Sequence, residues 1–205
     1  MGCGILMSRV CCLSMLIDKS DYEKKVTKDE VVNVIGLKGS GKTTLSNKYI
    51  NDNDYIVINC DKLLEIGEFK EDNNDGILKE IKRLLISKFG SIKEGRDFID
   101  CYNEIINYAF LNGKKLFIEG NALQDIEDIS LLKGLVIVKR TAVFKSFIRA
   151  VKRDYYNEYF MKMEIDKYGK FGKIVRLYNV IKRRKKIFKE AGEINNIIKM
   201  LEELK

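Results

Sequence analysis

The sequence predicts an α/β fold, in which helices cover both faces of a parallel sheet of four to five strands as a three-layer sandwich. Three observations support this prediction. Short runs of β-branched and aromatic residues alternate along the chain with longer segments of helical periodicity. These runs are apolar almost throughout, as in strands that are covered on both faces. The chain has 205 residues, which is enough for one domain with a well-buried core.

The predicted strands and helices alternate in a regular order. Four apolar runs are predicted as strands, at residues 31–35, 55–59, 115–118 and 135–138. Apolar residues at helical spacing predict helices over 76–89 and 98–110, and around 143–151, 174–181 and 194–204. The polar, acidic residues 62–76 are predicted as a loop or a short helix. In such an order the strands run parallel, so their carboxyl ends meet at one edge of the sheet and the following loops form a cleft.

Composition narrows the function classes. The chain has 38 Lys and Arg residues against 30 Asp and Glu residues, and its net charge of +8 favours anionic partners such as nucleotides, nucleic acid or an acidic surface. It has no His, which removes the commonest general base. Its five Cys residues form no C-x-x-C pair, which argues against a zinc site. Their spacing fits no disulfide framework, so a reduced, cytoplasmic protein is expected.

The N-terminal segment allows more than one interpretation. Gly2 and Cys3 suggest double acylation, although Leu6 occupies a position where the myristoylation pattern requires Ser or Thr. The simpler interpretations are a strand or arm added to the domain, or an upstream extension with the working start at Met7 or Met15. The apolar stretch in this segment is too short to span a bilayer, so no transmembrane segment is predicted.

The most specific motif is Gly36–Thr43, which reads G-x-x-x-x-G-K-T between a predicted strand and a predicted helix. Glycines allow the backbone to turn tightly, so that several N–H groups point at one anion, and the helix adds the positive end of its dipole. The motif predicts a phosphate-binding loop for ATP, and the alternative is a glycine-rich turn without a ligand. Lys42 is expected to reach the β- and γ-phosphates, and the Thr43 hydroxyl to bind Mg²⁺. The predicted nucleotide-binding residues are Gly36, Lys38, Gly39, Ser40, Gly41, Lys42, Thr43 and Thr44.

Two carboxylates follow predicted strands directly. Asp61 comes after the second strand, where a carboxylate can orient an acceptor hydroxyl and take its proton. The alternative is that Asp61 only caps the next helix. Glu119 follows the third strand, where it is a candidate to hold Mg²⁺ or a metal-bound water, and Gly120 would let backbone or substrate approach. The alternative for Glu119 is a charge at a strand end that only solvent contacts.

Three arginines follow the fourth predicted strand. Arg140 lies directly past it, and Arg149 and Arg153 are four residues apart on the next helix, so they share a face. Guanidinium groups clamp phosphates and offset the charge that develops during phosphoryl transfer. Arg149 and Arg153 are therefore catalytic candidates and Arg140 a nucleotide-binding candidate. The alternative is a solvated basic face.

The segment 176–186 is rich in basic residues and ends in the run Lys182–Lys186, with Tyr178 inside it and four more tyrosines before it in the C-terminal third. Basic residues with interleaved aromatics are typical of surfaces that bind single-stranded nucleic acid. The simpler interpretation is the outer, solvated face of a helix.

These residues resemble those of the small P-loop kinases, a group of P-loop NTPases with adenylate kinase-like, gluconate kinase-like and polynucleotide kinase-like members. The marks of the group are a G-x-x-G-S-G-K-[ST] loop, an Asp past the second strand and a lid helix bearing arginines, here Gly36–Thr43, Asp61, and Arg149 with Arg153. The segment Val57–Asp61 is most similar to the polynucleotide kinase and zeta-toxin branch. The resemblance covers roughly residues 31–155.

The resemblance implies an ATP- and Mg²⁺-dependent kinase that phosphorylates a hydroxyl of a small molecule, a nucleotide or a polynucleotide 5′ end. It implies one P-loop domain over 31–205 after an N-terminal extension over 1–30, with a helical substrate segment at 62–113 and a helical lid and C-terminal helices at 141–205. The fifth strand that such kinases have near the C-terminus is not evident, and neither is a Walker-B-type Asp. The alternatives are a nucleotide-binding switch or a nucleic-acid-associated ATPase without a phospho-acceptor, and a degenerate kinase fold that only binds. The acceptor remains open.

Overall fold

A computed structural model of the protein describes residues 21–65, 76–126 and 128–204. The interpretations of the segment before residue 21, including acylation of Gly2 and Cys3, lie outside the described residues. So does most of the predicted loop or short helix at 62–76.

The described residues form an α/β structure with one five-stranded, mostly parallel mixed sheet. Its strands lie in the order β1-β5-β2-β4-β3. The four predicted strands are confirmed, with β2 at the centre between β5 and β4. Their bounds are β1 Tyr22–Lys25, β2 Val31–Gly36, β3 Tyr55–Asn59, β4 Lys115–Glu119 and β5 Leu135–Lys139.

The fifth strand corrects the prediction of a wholly parallel sheet. β1 lies within the segment predicted as an N-terminal extension and pairs antiparallel with β5 at the sheet edge, with Tyr22 opposite Val138 and Lys25 opposite Leu135. Its sequence, Tyr-Glu-Lys-Lys, has no apolar run, because an edge strand has one neighbour and its residues stay partly exposed. Charged edge strands of this kind give no apolar pattern that a sequence reading can detect.

The predicted helices are present, and the described residues after β5 are helical, without a strand. The helix over 76–89 has the predicted bounds, and the helix that follows the Gly36–Thr43 loop is shorter than expected. No helix of the described residues is long and apolar enough to cross a membrane. The helices are α1 Lys42–Ser46, α2 Cys60–Glu65, α3 Gly76–Phe89, α4 Phe98–Leu111, α5 Val143–Tyr155, α6 Glu158–Tyr168, α7 Gly172–Arg184 and α8 Ile187–Glu203.

The chain divides into two compact units. The described part of the sheet unit lies within Asp21–Gly36, Gly41–Lys139 and Ile194–Lys205. The described part of the helical unit comprises Leu37–Ser40 and Arg140–Glu193. The loop over 36–43 thus contributes residues to both units.

The core of the sheet unit surrounds the central strand. Every residue of β2 is buried, which explains why its run is apolar rather than alternating. Val32 and Val34 pack with Phe117 of β4, and Tyr49 stacks on the Phe117 ring at a centroid distance of 4.6 Å. This packing holds the segment after α1 against the sheet.

Candidate functional site

The Gly36–Thr43 loop leaves the central strand β2 and enters α1 at Lys42. Gly41 stands at the N-terminus of α1, and no side chain caps the first turn of this helix. The helix is short because the amides of Lys48 and Tyr49 bond the carbonyls three residues before them, a tighter turn than an α-helix. The first N–H groups of an α-helix have no carbonyl partner within the helix.

Lys42 is buried, with 8% of its surface exposed. Its ammonium nitrogen Nζ donates a hydrogen bond of 2.6 Å to the carbonyl oxygen of Gly36 and lies 3.5 Å from Oδ1 of Asn121. The ammonium group thus lies at the carboxyl end of β2, where it contacts oxygens of Gly36 and Asn121. These contacts offset the cost of burying a charged group.

Glu119 ends β4, and lies in register with Val34 of β2 on one side and Asn59 of β3 on the other. It is 1% exposed, and its Oε1 accepts hydrogen bonds from Asn59 Nδ2 at 2.9 Å and from Ser46 Oγ at 3.3 Å. The alternative of a strand-end charge that only solvent contacts is therefore wrong. Glu119 is part of a buried polar cluster that joins β3, β4 and α1.

Asp61 lies in the first turn of α2, and its Oδ1 accepts a hydrogen bond of 3.0 Å from the backbone amide of Asn121. The residue whose side chain caps α2 is Asn59, since its Oδ1 accepts from the backbone amide of Lys62 at 2.9 Å. The capping alternative for Asp61 is therefore wrong. Its carboxylate instead points to the segment that follows β4.

Gly120 is needed for this approach. Its φ of 144° is rare for other residues, and a Cβ built on it would lie 2.7 Å from Cys60 Cβ and 3.3 Å from the Asp61 amide nitrogen. The sequence predicted that backbone or substrate approaches Gly120, and the structure shows that the start of α2 does so. Burial raises the pKa of the Cys60 thiol well above its usual value, and the charges of Asp61 and Glu119 add to this. The thiol therefore stays protonated and unreactive.

Two amide side chains complete this edge of the sheet. Asn121 and Gln124 begin and end a short 3-10 helix directly after Glu119 and Gly120. Gln124 Nε2 donates to the carbonyl of Gly36 at 2.9 Å and lies 3.3 Å from Asn121 Oδ1. Neither residue was predicted, because only charged groups were considered as candidates after this strand. The sequence does contain a signal for them, since two amide side chains stand three residues apart just after a predicted strand.

The remaining loop residues belong to the helical unit and contact α5. A Cβ on Gly39 would lie 3.0 Å from the carbonyl oxygen of Ser146 and 3.3 Å from Cβ of Arg149. Nη1 of Arg149 lies 3.4 Å from the carbonyl oxygen of Gly39, a long and weak contact. The buried Ser40 hydroxyl has no hydrogen-bond partner in the described part of the chain. The predicted Arg149 therefore contacts the loop at Gly39.

The other two predicted arginines also belong to the helical unit. Arg153 is turned toward its neighbour Asp154, with 3.3 Å between Nε and Oδ1, and more than half of its side chain is exposed. Arg140 directly follows β5 and is partly buried. The predicted nucleotide-binding residue Lys38 also belongs to the helical unit, and its positive charge acts on Asp154.

A Mg²⁺ site can draw on two of the predicted residues. Ser46 Oγ lies 3.0 Å from the Thr43 carbonyl oxygen and 3.3 Å from Glu119 Oε1, so Thr43 and Glu119 border the same hydroxyl. Hydroxyl and carboxylate oxygens are donors that Mg²⁺ prefers, and this ion usually keeps several waters and takes its other ligands from phosphates. The Glu119 carboxylate and the Ser46 hydroxyl beside it are groups of this kind. In residues 21–65, 76–126 and 128–204 no three His, Cys, Asp or Glu residues group closely enough to hold a metal alone.

Comparison with known proteins gives no relative: no protein-family model matches the chain, and no curated protein matches its sequence. Function therefore has to be inferred from the site. The sheet unit brings together Gly36, Lys42, Asp61, Glu119 and the unpredicted Asn121, while the helical unit brings Arg149 to Gly39.

Proposed function

We propose that the protein is an ATP- and Mg²⁺-dependent phosphotransferase that transfers the γ-phosphate to a hydroxyl group. One observation carries the proposal: Asn121 contacts both Asp61, through its backbone amide, and Lys42, through its side-chain oxygen. A carboxylate that can take a proton and an ammonium that can bind phosphate thus share one neighbour at the carboxyl edge of the sheet. This is the pair of groups that transfer to a hydroxyl requires.

The donor end of the reaction is the loop over 36–43, and the fold proposed is a P-loop NTPase sandwich. Its backbone amides would surround the phosphates of ATP, and the Lys42 ammonium would exchange the Gly36 carbonyl for β- and γ-phosphate oxygens. Gln124 also donates to the Gly36 carbonyl, so that this carbonyl keeps a partner when Lys42 turns away. The exchange therefore leaves no buried acceptor unpaired.

The metal would be held by Thr43 and Glu119. Mg²⁺ bound with ATP supplies neutralisation of the charge on the β- and γ-phosphate oxygens. Asn59 and Ser46 orient the Glu119 carboxylate through Oε1, as hydrogen-bonded neighbours of metal ligands commonly do.

The acceptor end is Asp61. Its carboxylate would take the proton of the acceptor hydroxyl while the hydroxyl oxygen forms a bond to the γ-phosphorus and the bond from this phosphorus to the β–γ bridging oxygen breaks. ADP leaves with the bridging oxygen, and the acceptor keeps the phosphoryl group. The Asn121 amide holds Oδ1, which fixes the direction of the carboxylate. The acceptor itself is not assigned.

Arg149 is proposed to offset negative charge on the transferring group. The support is its contact with the Gly39 carbonyl, which keeps the guanidinium beside a loop residue. Arg153 has weaker support, because its Nε lies beside Asp154 instead.

The test is transfer of labelled γ-phosphate from ATP to a panel of nucleosides, sugars and 5′-hydroxyl oligonucleotides, with and without Mg²⁺. The proposal expects a labelled acceptor that forms only with Mg²⁺ and disappears in Asp61→Asn. Labelled inorganic phosphate as the sole product, with a rate that rises when nucleic acid is added, would instead indicate an ATPase without a phospho-acceptor. Absence of ATP binding would indicate a protein that only binds another partner.

A further inference from the structure

Helix α7 turns its apolar face to the solvent. Gly172, Arg176, Val180 and Arg184, spaced by four residues, form its buried side. We call the apolar side the outer face, and it consists of Phe171 in the preceding turn with Ile174, Leu177 and Tyr178, exposed by 69%, 66%, 41% and 63%. Contiguous exposed apolar surface of this kind is rare in proteins unless it binds a partner.

Buried ion pairs hold the helix in this orientation. Asp154, at the end of α5, accepts hydrogen bonds from the side chains of Arg184 and Arg183, and its carbonyl accepts one from Arg176. The Arg176 guanidinium also lies 5.0 Å from the centroid of the Phe160 ring. Arg176 and Arg184 thus occupy the side of α7 that packs, which leaves the apolar residues on the outside.

The same contacts separate the basic residues of Lys182–Lys186 into buried and exposed ones, whereas the sequence predicted that this run lies on the outer face of a helix. Arg184 is 6% exposed and bound to Asp154, whereas Lys182, Lys185 and Lys186 are exposed. The lysines of this segment are therefore the basic groups available to a partner.

The stretch of chain that contains the outer face carries charge of one sign. Residues 167–189 contain ten Lys and Arg residues and no Asp or Glu, and Arg140–Glu193 as a whole has sixteen basic and six acidic residues, a net charge of +10. The whole chain carries only +8, so the rest of it is slightly acidic. A second copy of this face would repel the first, and the partner must be anionic.

We propose that the outer face of α7 docks on an anionic lipid surface. Helices that lie in a membrane interface bury an apolar face among the acyl chains while lysines beside it bind the headgroup phosphates. Here Lys170 and Lys173 border one end of the outer face, and Lys182 and Lys185 border the other. Lysine stems are long enough to reach the headgroups while their carbons cover apolar surface.

A bilayer fits the outer face better than single-stranded nucleic acid does. Bases stack on aromatic rings, but Ile174 and Leu177 are aliphatic and lie between the two rings of the face. Phe171 and Tyr178 are seven residues apart, which is about 10 Å along a helix axis and too far for adjacent stacked bases. Aliphatic side chains with lysines beside them instead match a bilayer, in which apolar acyl chains lie beneath anionic headgroups.

The experiment is sedimentation of the full-length protein with phosphatidylserine-containing vesicles and with pure phosphatidylcholine vesicles, without nucleotide. The protein is expected to bind the anionic vesicles only. Ile174→Asp should lower the partition coefficient about tenfold, since it removes an inserted side chain and adds a repelled charge. Lys182→Ala should lower it about fivefold, the effect of one basic residue near such a surface.

Matched controls lie outside the helical unit. Leu111→Asp replaces another exposed apolar residue, and Lys28→Ala another exposed lysine, and neither should change vesicle binding. All four substitutions are at exposed positions, so each variant is expected to fold, which circular dichroism verifies.

The proposal is overturned if anionic vesicles do not bind the protein, or if neutral vesicles bind it equally. It is also overturned if Leu111→Asp weakens binding as much as Ile174→Asp does, or if Lys182→Ala has no effect. A short single-stranded oligonucleotide that binds through Ile174, in the absence of vesicle binding, would make this a nucleic-acid surface. Self-association that Ile174→Asp abolishes would make it a contact between copies. None of these outcomes depends on phosphotransfer.

Discussion

The backbone amide of Asn121 donates a hydrogen bond of 3.0 Å to Oδ1 of Asp61. The two residues are sixty positions apart, one just past β4 and the other in the first turn of α2. The sequence placed this carboxylate near a strand end, and the hydrogen bond defines the direction in which it points. Its partner is a backbone group, which side-chain substitution of Asn121 does not remove.

Asp61→Asn is expected to separate binding from transfer. The Asn amide oxygen can still accept the Asn121 amide bond, but a carboxamide cannot take a proton at neutral pH. Phosphoryl transfer should fall by roughly 10²- to 10⁴-fold, with ATP affinity unchanged. Rapid-quench transfer assays and calorimetric ATP titration measure the two quantities. Asp54→Asn, at an exposed position before β3, is the control, and a fully active Asp61→Asn would remove Asp61 from the mechanism.

Lys42→Ala is expected to weaken both ATP binding and transfer. It removes the ammonium that lies 2.6 Å from the Gly36 carbonyl, where phosphate oxygens are proposed to bind. Loss of one such charged donor should reduce transfer by about two to three orders of magnitude. Lys48→Ala, at an exposed position shortly after α1, should leave both unchanged. Equal ATP affinity in the Lys42→Ala variant and the wild type would contradict a phosphate-binding role.

Arg149→Ala tests the proposed role of this arginine beside Gly39. The turnover number should fall by about 10²-fold, while the free energy of unfolding should change by less than about 0.5 kcal/mol, because the contact with Gly39 is long and exposed. Steady-state kinetics and urea unfolding measure the two effects. Lys152→Ala on the same helix is the control. Arg153→Ala should reduce turnover less than Arg149→Ala, and the reverse order would assign the role to Arg153.

Gly120→Ala is expected to destabilise the protein by about 1–3 kcal/mol, because the new Cβ meets Cys60 and the backbone φ is unfavourable. Transfer should also fall, since any shift of α2 moves Asp61. Gly192→Ala is the matched control: no atom lies within 4 Å of its built Cβ, and it is inside α8. That variant should be more stable than the wild type by about 0.4–1 kcal/mol. Urea unfolding would contradict this account if both variants behaved alike.

Asp154→Asn tests the ion pairs that orient α7. Burial alone would raise the pKa of Asp154, but the hydrogen bond and charge of Arg184, with the charges of Arg153 and Lys38, lower it below its ordinary value. A lowered native pKa means that the unfolded chain binds the proton more readily. The stabilisation is therefore full above the unfolded-state pKa, about 4, and is lost as the pH falls through the native value.

The Asp154→Asn variant should accordingly be less stable than the wild type by about 3 kcal/mol at pH 7, and the difference should shrink as the pH falls below about 4. Denaturant unfolding at a series of pH values measures this. Asp166→Asn, at an exposed position on α6, should match the wild type throughout. A stability difference that stays constant from pH 7 to the acid range would show that the charge of Asp154 is not what matters.

The sequence by itself determined the four parallel strands, most of the helices and the position of the Gly36–Thr43 loop between a strand and a helix. These features follow from residues close together in the chain: apolar runs, helical spacing and glycine positions. They also placed Asp61 and Glu119 just after two strands. Parallel strands bring their carboxyl ends to one edge of the sheet, so both residues were expected at that edge. β1 escaped the prediction because a charged edge strand is defined by its pairing with β5, more than a hundred residues away.

The tertiary structure alone decided what those positions contact. Glu119 became a buried hydrogen-bond acceptor and Asp61 the partner of Asn121, because β3 and β4 lie side by side. Periodicity showed that Ile174, Leu177 and Tyr178 share a helix face, but the contacts of Asp154 with Arg176 and Arg184 turn that face outward. Local patterns state which side chains point the same way. Which of two faces is buried depends on the free energy of contacts between distant segments, and that is fixed only when the chain packs.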